Sequence, residues 1–140
     1  MDRTRRVDTA YRKLQQALDE RRVLGLRPIA GKFKTLLLDP PWEHDQDVAG
    51  RAKPGYATMS LDELRALDVA AWADDGWCHL YLCTTNSFVI RAGELMEHWG
   101  FEPKQLLTWK KPNWGLGNHF RNETEHVYFG IRGDLHVRPP

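Results

Sequence analysis

Short blocks of apolar residues along the chain predict four β-strands. Each block is bounded by polar, proline or glycine residues, and the blocks cover residues 33–38, 77–84, 101–110 and 125–131. The first run is almost entirely apolar, which is typical of a buried strand. The last two runs flank a glycine-containing segment, residues 111–122, and this arrangement predicts an antiparallel strand pair.

A basic amphipathic helix is predicted at the beginning of the chain, over residues 3–23. Its apolar positions recur at three- and four-residue steps, at Val7, Tyr11, Leu14 and Leu18. Arginine and lysine residues stand between them, so the helix could lie along phosphate groups. A solvated charged face explains the same pattern, and the sequence leaves both interpretations open.

Two shorter helices are predicted further along the chain. Ser60 and Glu63 form a capping box, which opens a short helix. A second helix is predicted over residues 87–99, with side-chain caps from Thr85 and Asn86.

The order of these elements predicts an α/β fold. A strand–helix–strand–helix–strand series favours parallel strands joined by right-handed crossovers, and the final strand pair adds an antiparallel edge. We divide the chain into the basic helix with its connector, residues 1–29, and one domain, residues 30–140. No internal repeat or linker marks a second domain.

Composition places the chain among soluble globular proteins. Of its 140 residues, 41% are hydrophobic and 28% are charged, and the net charge is only +1. Binding to nucleic acid would therefore depend on a local patch. No apolar run approaches the length of a membrane span, and the N-terminus lacks the apolar core of a signal peptide. We expect a cytoplasmic protein without membrane contact.

The histidines and cysteines do not predict a metal site. The six His and two Cys show no zinc-ligand spacing. Cys78 and Cys83 lie five residues apart in a predicted strand, so they should point to opposite faces as free thiols. His79 and His98 are interpreted as structural residues.

The candidate chemistry follows the first strand, at Asp39-Pro40-Pro41-Trp42. In open α/β sheets, ligands bind at the carboxyl ends of strands. The Asp39 carboxylate and the Pro40 carbonyl could accept the two N–H groups of a purine amine, whose lone pair is otherwise delocalised into the ring. Proline donates no N–H, so we expect no competing local donor at that carbonyl. Trp42 offers a flat face for stacking a base, although Asp-Pro can also serve simply as a turn.

A long polar loop, residues 43–57, follows this motif. It has no helical or strand periodicity and contains glycine and proline. Loops of this length in compact domains are usually functional or disordered. We interpret it as a mobile gate with Tyr56 near its base.

Together these segments identify a family resemblance. In chain order the matching motifs are Gly31-Lys32-Phe33, Asp39-Pro40-Pro41-Trp42, Tyr56-Ala57-Thr58-Met59-Ser60, Thr84-Thr85-Asn86, Trp99-Gly100-Phe101, Trp109-Lys110-Lys111-Pro112-Asn113, Arg121-Asn122, Glu125-His126 and Phe129-Gly130-Ile131-Arg132-Gly133. Over residues 30–133 the chain resembles the MT-A70 family of adenine-N6 methyltransferases. The ordered set is far more specific than any one motif. The resemblance implies a Rossmann-like methyltransferase sheet that uses S-adenosylmethionine and no metal.

The resemblance also implies roles for individual residues. The catalytic motif is Asp39, Pro40, Pro41 and Trp42, which hold the target adenine. Asp39 and Lys111 lie at the cofactor, where the lysine ammonium meets the methionine carboxylate. The substrate-binding residues are Tyr56, Trp42, Arg121 and Asn122. For Lys111 the residues alone also allow an exposed strand end.

The implied reaction is an in-line attack of the amine on the sulfonium methyl group. No strong general base is needed, because the nitrogen loses its proton after it becomes cationic. Positioning then supplies most of the acceleration, and oriented reactants can gain about 7–11 kcal/mol. In duplex DNA the adenine must leave the base stack.

The sequence departs from the family pattern at its C-terminus. The resemblance implies a strand and an acidic residue that hold the cofactor's ribose and adenine, and they have no counterpart before Pro140, so we expect residues 30–140 to be the catalytic half of the domain. Three explanations compete: truncation, completion of the sheet by a partner subunit or second copy, and a non-catalytic relative that binds nucleic acid. We favour truncation or completion, with methyltransferase function in the full-length protein. DNA is preferred over RNA by analogy alone.

Overall fold

The computed structural model describes Gln16 and residues 29–43, 58–115 and 121–134. Apart from Gln16, which is helical, the predicted helix 3–23 lies outside the described residues. The same holds for most of the predicted gate, including Tyr56.

Seven elements make up the described chain. In chain order they are β1 (Thr35–Leu38), α1 (Leu61–Arg65), a 3₁₀ helix (Val69–Trp72), β2 (Trp77–Thr84), α2 (Val89–His98), β3 (Glu102–Gly115) and β4 (Asn122–Gly133). The four strands form a single mixed sheet in the order β1-β2-β4-β3. β1 and β2 are parallel, and β4 is antiparallel to both of its neighbours. The α/β class, the parallel pair and the antiparallel pair are confirmed.

The position of β3 differs from a simple crossover series. β3 runs in the same direction as β2, but β4 lies between them. The chain folds back after β3, and β4 pairs with β2 over eight residues. The crossover from β2 through α2 to β3 therefore does not place these two strands side by side, and β4, the last described strand, lies between them.

The hydrophobic core lies between one face of the sheet and the helices. On β2 the residues at alternate positions are buried, namely Cys78, Leu80, Leu82 and Thr84. Ala92, Leu95 and Met96 of α2 pack against this face. Burying a leucine or methionine side chain contributes about 1.5–3 kcal/mol. The other face carries Cys83, so the two free cysteines lie on opposite faces, as predicted.

Close packing of α2 on the sheet depends on Gly130. A Cβ atom there would lie 2.4 Å from the Met96 sulfur and 2.9 Å from the Glu102 carbonyl oxygen. Only a residue without a side chain fits this distance, so α2 and β4 approach closely at this point.

The two predicted helices begin differently. The capping box of α1 is confirmed, with the Ser60 hydroxyl accepting from the Glu63 backbone N–H and the Glu63 carboxylate accepting from the Ser60 backbone N–H. The predicted caps of α2 are wrong. Its N-cap is Phe88, without a side-chain hydrogen bond. The Asn86 amide bonds to β4 instead, so it is not available to the helix.

None of the described helices combines the length and apolar character needed to cross a membrane.

Candidate active site at the carboxyl edge of the sheet

Four segments meet at one edge of the sheet. β1, β2 and β3 all end at this edge and β4 begins there. The residues brought together are Asp39-Pro40-Pro41-Trp42, Thr84-Thr85-Asn86, Lys110-Lys111 and Asn122 to His126. This is the position at which open α/β sheets bind ligands.

The Asp39–Trp42 segment is held by its backbone. Trp42 N–H donates to the Pro40 carbonyl at 2.9 Å, which closes a tight turn around Pro41. The Pro41 carbonyl accepts from Met59 N–H at 2.8 Å, and Glu43 N–H donates to the Met59 carbonyl at 3.1 Å. The expectation that Pro40 has no local donor is therefore wrong. A carbonyl has two lone pairs, so one remains for a ligand.

Trp42 lies in the core. Its side chain is only 5% exposed and stacks on Phe88, with ring centroids 5.2 Å apart and planes 21° apart. The indole N–H donates to the Cys83 carbonyl at 3.1 Å. In this structure the ring does not offer an open face to a base, and what it does is anchor the motif to β2. Asp39, by contrast, is exposed.

Two carboxylates act on Cys83, which lies on the face of the sheet opposite the helices. The pKa of the Cys83 thiol is raised, first by burial and then by the negative charges of Asp39 and Glu125. Both carboxylates therefore act on the same small region. The Lys111 ammonium contacts the Glu125 carboxylate and lies 5.9 Å from the centre of the Trp109 ring. The edge thus holds the Lys111–Glu125 ion pair and, after β1, the Asp39 carboxylate.

A hydrogen-bond network at this edge connects residues of three neighbouring segments, namely the end of β2, β4 and β3. The Asn86 amide donates to the Thr124 carbonyl at 3.0 Å, and its oxygen lies 2.8 Å from His126 Nε2. His126 Nδ1 lies 3.1 Å from the Thr108 hydroxyl. The network links the end of β2 to β4 and β3, and so fixes the spacing of the strands at the site.

Two of the predicted substrate-binding residues other than Trp42 lie at this edge, and the third is not described. Arg121 is exposed and Asn122 is half-buried, both at the beginning of β4 and at the same edge. Tyr56 lies outside the described residues.

Glu125, Asn86 and His126 carried no predicted site role. Their signal in the sequence is the polar run Asn122 to His126, which precedes the apolar part of a strand.

Within the described ranges, no three His, Cys, Asp or Glu side chains form a group that could hold a metal ion.

Comparison with known proteins identifies the family of this chain. The sequence profile of the MT-A70 family matches residues 33–138. The N(6)-adenosine-methyltransferase MT-A70-like protein of Drosophila melanogaster is 32% identical over 114 residues, which are 76% of this chain and 17% of that protein. The human N(6)-adenosine-methyltransferase catalytic subunit METTL3 is 30% identical, over 76% of this chain and 18% of its own. The type II methyltransferase M.MunI of Mycoplasma sp is 29% identical, over 74% of this chain and 53% of its own.

This chain thus spans less than a fifth of the length of the two adenosine methyltransferases. The family match nevertheless covers both the Asp39–Trp42 segment and the strands that position Lys111 and Glu125. The chain therefore belongs to the MT-A70 family of S-adenosylmethionine-dependent adenine-N6 methyltransferases.

Proposed function

We propose that this protein transfers a methyl group from S-adenosylmethionine to the N6 amine of adenine in nucleic acid, with DNA as the expected substrate. The observation that carries the proposal is the Asp39–Trp42 segment, fixed by backbone hydrogen bonds at the same edge of the sheet as the Lys111–Glu125 pair. It provides an exposed carboxylate and a rigid carbonyl at the edge where this fold binds ligands.

Two acceptors at this edge suit an amine with two N–H groups. The Asp39 carboxylate takes one N–H and the remaining lone pair of the Pro40 carbonyl takes the other. Both bonds return electron density to the nitrogen and stabilise the positive charge that develops there. The turn around Pro41 fixes the orientation of the Pro40 carbonyl, so this acceptor needs little reorganisation when an adenine arrives.

The charged groups at the edge fit the methionine end of S-adenosylmethionine. That end carries an ammonium and a carboxylate, and the edge carries carboxylates and an ammonium that can pair with them. Lys111 would hold the carboxylate, and Asp39 with Glu125 would face the ammonium. When bound, S-adenosylmethionine supplies an electrophilic methyl group on its sulfonium.

The choice of nucleic acid belongs to the proposal. DNA is expected by analogy with short bacterial and phage methylases, whereas the relatives from fly and human are named for adenosine. The assay must therefore compare DNA and RNA strands of one sequence. In either case the target adenine must be unstacked to reach Asp39.

Completion of the site by a second copy or a partner subunit is also proposed. The human relative is named as a catalytic subunit. Sedimentation of the purified chain, with and without S-adenosylmethionine and oligonucleotide, will show whether the active species contains more than one chain.

Methyl transfer to an adenine-containing oligonucleotide tests the proposed function directly. We expect Asp39→Ala to lower kcat about 100-fold or more, since removing one preorganised group that stabilises transition-state charge has an effect of that size. Incorporation of labelled methyl groups, followed by identification of N6-methyladenine by mass spectrometry, gives the measurement.

Asp75→Ala is the matched control for this substitution. Asp75 is an exposed aspartate near the beginning of β2, at the opposite edge of the sheet, where it pairs with Lys32. Its replacement should leave kcat unchanged. Undiminished transfer by Asp39→Ala would refute the proposed role of Asp39. Oligonucleotide binding without S-adenosylmethionine binding would instead support a non-catalytic binding subunit.

A further inference from the structure

Trp109 presents an indole to solvent close to the candidate active site. Trp109 is 59% exposed, whereas Trp42 is 5% exposed and fully used in packing. In the register of the sheet Trp109 stands opposite Glu125, on the face that carries Cys83. The exposed indole and the charged groups of the site therefore share one surface.

The distance from the catalytic motif is set by the strand order. β1, which leads into Asp39, and β3, which carries Trp109, are the two outer strands of the described sheet. Three strand spacings separate them, which is about 14 Å. A base held at Asp39 cannot also stack on Trp109, but a neighbouring nucleotide of the same strand can reach it.

A lysine beside this indole can attract a phosphate group. The Lys111 ammonium lies 5.9 Å from the Trp109 ring centre. Lys110 pairs with Glu123 at 3.5 Å, but its side chain is 75% exposed and that of Glu123 only 35%. The Lys110 ammonium is thus open to solvent. Surface ion pairs of this kind are weak, so a phosphate can compete for the lysine.

We propose that the Trp109 indole stacks on a nucleobase that flanks the target adenine in an unpaired strand, while the exposed Lys110 contacts a phosphate at the outer edge of the described sheet. The inference rests on the proposed function and adds a residue to its substrate site. An exposed aromatic ring beside cations is the usual way in which proteins bind single strands without reading their sequence. The site should therefore prefer an unpaired strand to a duplex, and should tolerate any base on Trp109.

Photo-crosslinking locates the stacked base. Each single-stranded oligonucleotide contains one adenine and one 5-iodouracil. In one set the 5-iodouracil lies on the 5′ side of the adenine, and in the other set it lies on the 3′ side. After irradiation of the complex with the full chain, digestion and mass spectrometry identify the modified residue. We expect Trp109 to be the crosslinked residue for a flanking position. Crosslinks that map only to other residues would overturn the proposal.

Affinity measurements test the energetic role of the ring. Trp109→Ala should weaken binding of the same labelled oligonucleotide at least about fivefold, since stacking on an aromatic side chain has that effect or more. Trp109→Phe should keep most of the affinity. Fluorescence anisotropy gives the Kd, and thermal unfolding verifies that each variant is folded.

Two control variants on the same face of the sheet should leave the Kd unchanged. Leu107→Ala removes another exposed apolar side chain of β3, which is 44% exposed. Trp77→Ala removes a second tryptophan with a lysine over its ring, Lys34 at 4.8 Å, at the far end of β2. A loss of affinity in these variants equal to that of Trp109→Ala would overturn the specific role of Trp109.

The outcomes separate this inference from the proposed function. A wild-type chain that binds and methylates the oligonucleotide, with Trp109→Ala unchanged in Kd, refutes the stacking role and leaves the methyltransferase intact. A wild-type chain that neither binds nor methylates refutes the proposed function itself. If Trp109→Ala dissociates a dimer in sedimentation while its Kd for the oligonucleotide is unchanged, the ring is a protein contact and the proposal fails.

Discussion

The pKa of the Cys83 thiol depends on the charged groups of the candidate site. Burial disfavours the thiolate, and the carboxylates of Asp39 and Glu125 disfavour it further. The pKa is therefore raised above its ordinary value of 9.0. The folded protein binds this proton more tightly than the unfolded chain, so stability falls as pH rises from 9.0 towards the raised value.

Alkylation of Cys83 gives a chemical measure of the charge at the site. In a Cys78→Ala background, which leaves one thiol, the pH–rate profile with iodoacetamide should have its midpoint above 9.0. Asp39→Asn should lower that midpoint, because it removes the larger of the two charge effects, and Glu125→Gln should lower it less. An unchanged midpoint in Asp39→Asn would show that the Asp39 carboxylate does not act on this region.

The exposure of two tryptophans, Trp42 and Trp109, could not be predicted from the sequence around them. Trp42 follows two prolines in a recognisable motif, so a stacking role was a reasonable prediction. Its burial depends on Phe88, far along the chain, and on the Cys83 carbonyl. Trp109 lies in a predicted strand, where its exposure depends on β3 being an outer strand of the described sheet. Neither environment is encoded near the residue itself.

At the level of elements, the Asn86–His126 hydrogen bond ties the end of β2 to the beginning of β4. Asn86 was predicted to cap a helix, because asparagine after a strand is typical of an N-cap. The amide instead satisfies β4 groups, including the Thr124 carbonyl. Local sequence could not decide between these partners, since one of them lies in a distant strand.

A double-mutant cycle measures this link between β2 and β4. Asn86→Ala and His126→Ala should be non-additive in the free energy of unfolding by about 1 kcal/mol, as for other residues in one network. Urea unfolding supplies the values. The exposed Lys32–Asp75 pair is the control and should couple more weakly. Additivity of the Asn86 and His126 variants within about 0.3 kcal/mol would contradict the predicted coupling.

Two glycines at the helix–sheet contact should respond to alanine with opposite signs. Gly130→Ala places a Cβ atom 2.4 Å from the Met96 sulfur and 2.9 Å from a backbone oxygen, so it should cost about 1–3 kcal/mol of stability. Gly93→Ala lies inside α2 with its nearest neighbour, Tyr128, at 3.5 Å. It should stabilise by up to about 1 kcal/mol. Urea unfolding measures both changes, and equal effects would refute this packing account.

At the level of the whole molecule, the elements were predictable and their order in the sheet was not. Runs such as residues 77–84 specify strands locally, through alternation and β-forming residues. The placement of β4 between β2 and β3 depends on which edges pair, and on a glycine at position 130 that lets α2 approach. The carboxyl-edge site around Asp39 was predicted because the end of a strand is a local property. The position of the second carboxylate, Glu125, at this site could be predicted only from the pairing register of β4 with its neighbours.

The strand order also has a consequence for biosynthesis. β4 is the last described strand to leave the ribosome, yet its place is in the interior of the sheet. Until residues 122–133 emerge, β3 has no described strand beside it, and Glu125 is not yet available to meet Lys111. Domains generally fold as units, and pairings between distant segments form slowly. The Lys111–Glu125 pair can therefore form only after β4 has been made, so a chain interrupted before β4 would carry the Asp39 motif without this pair.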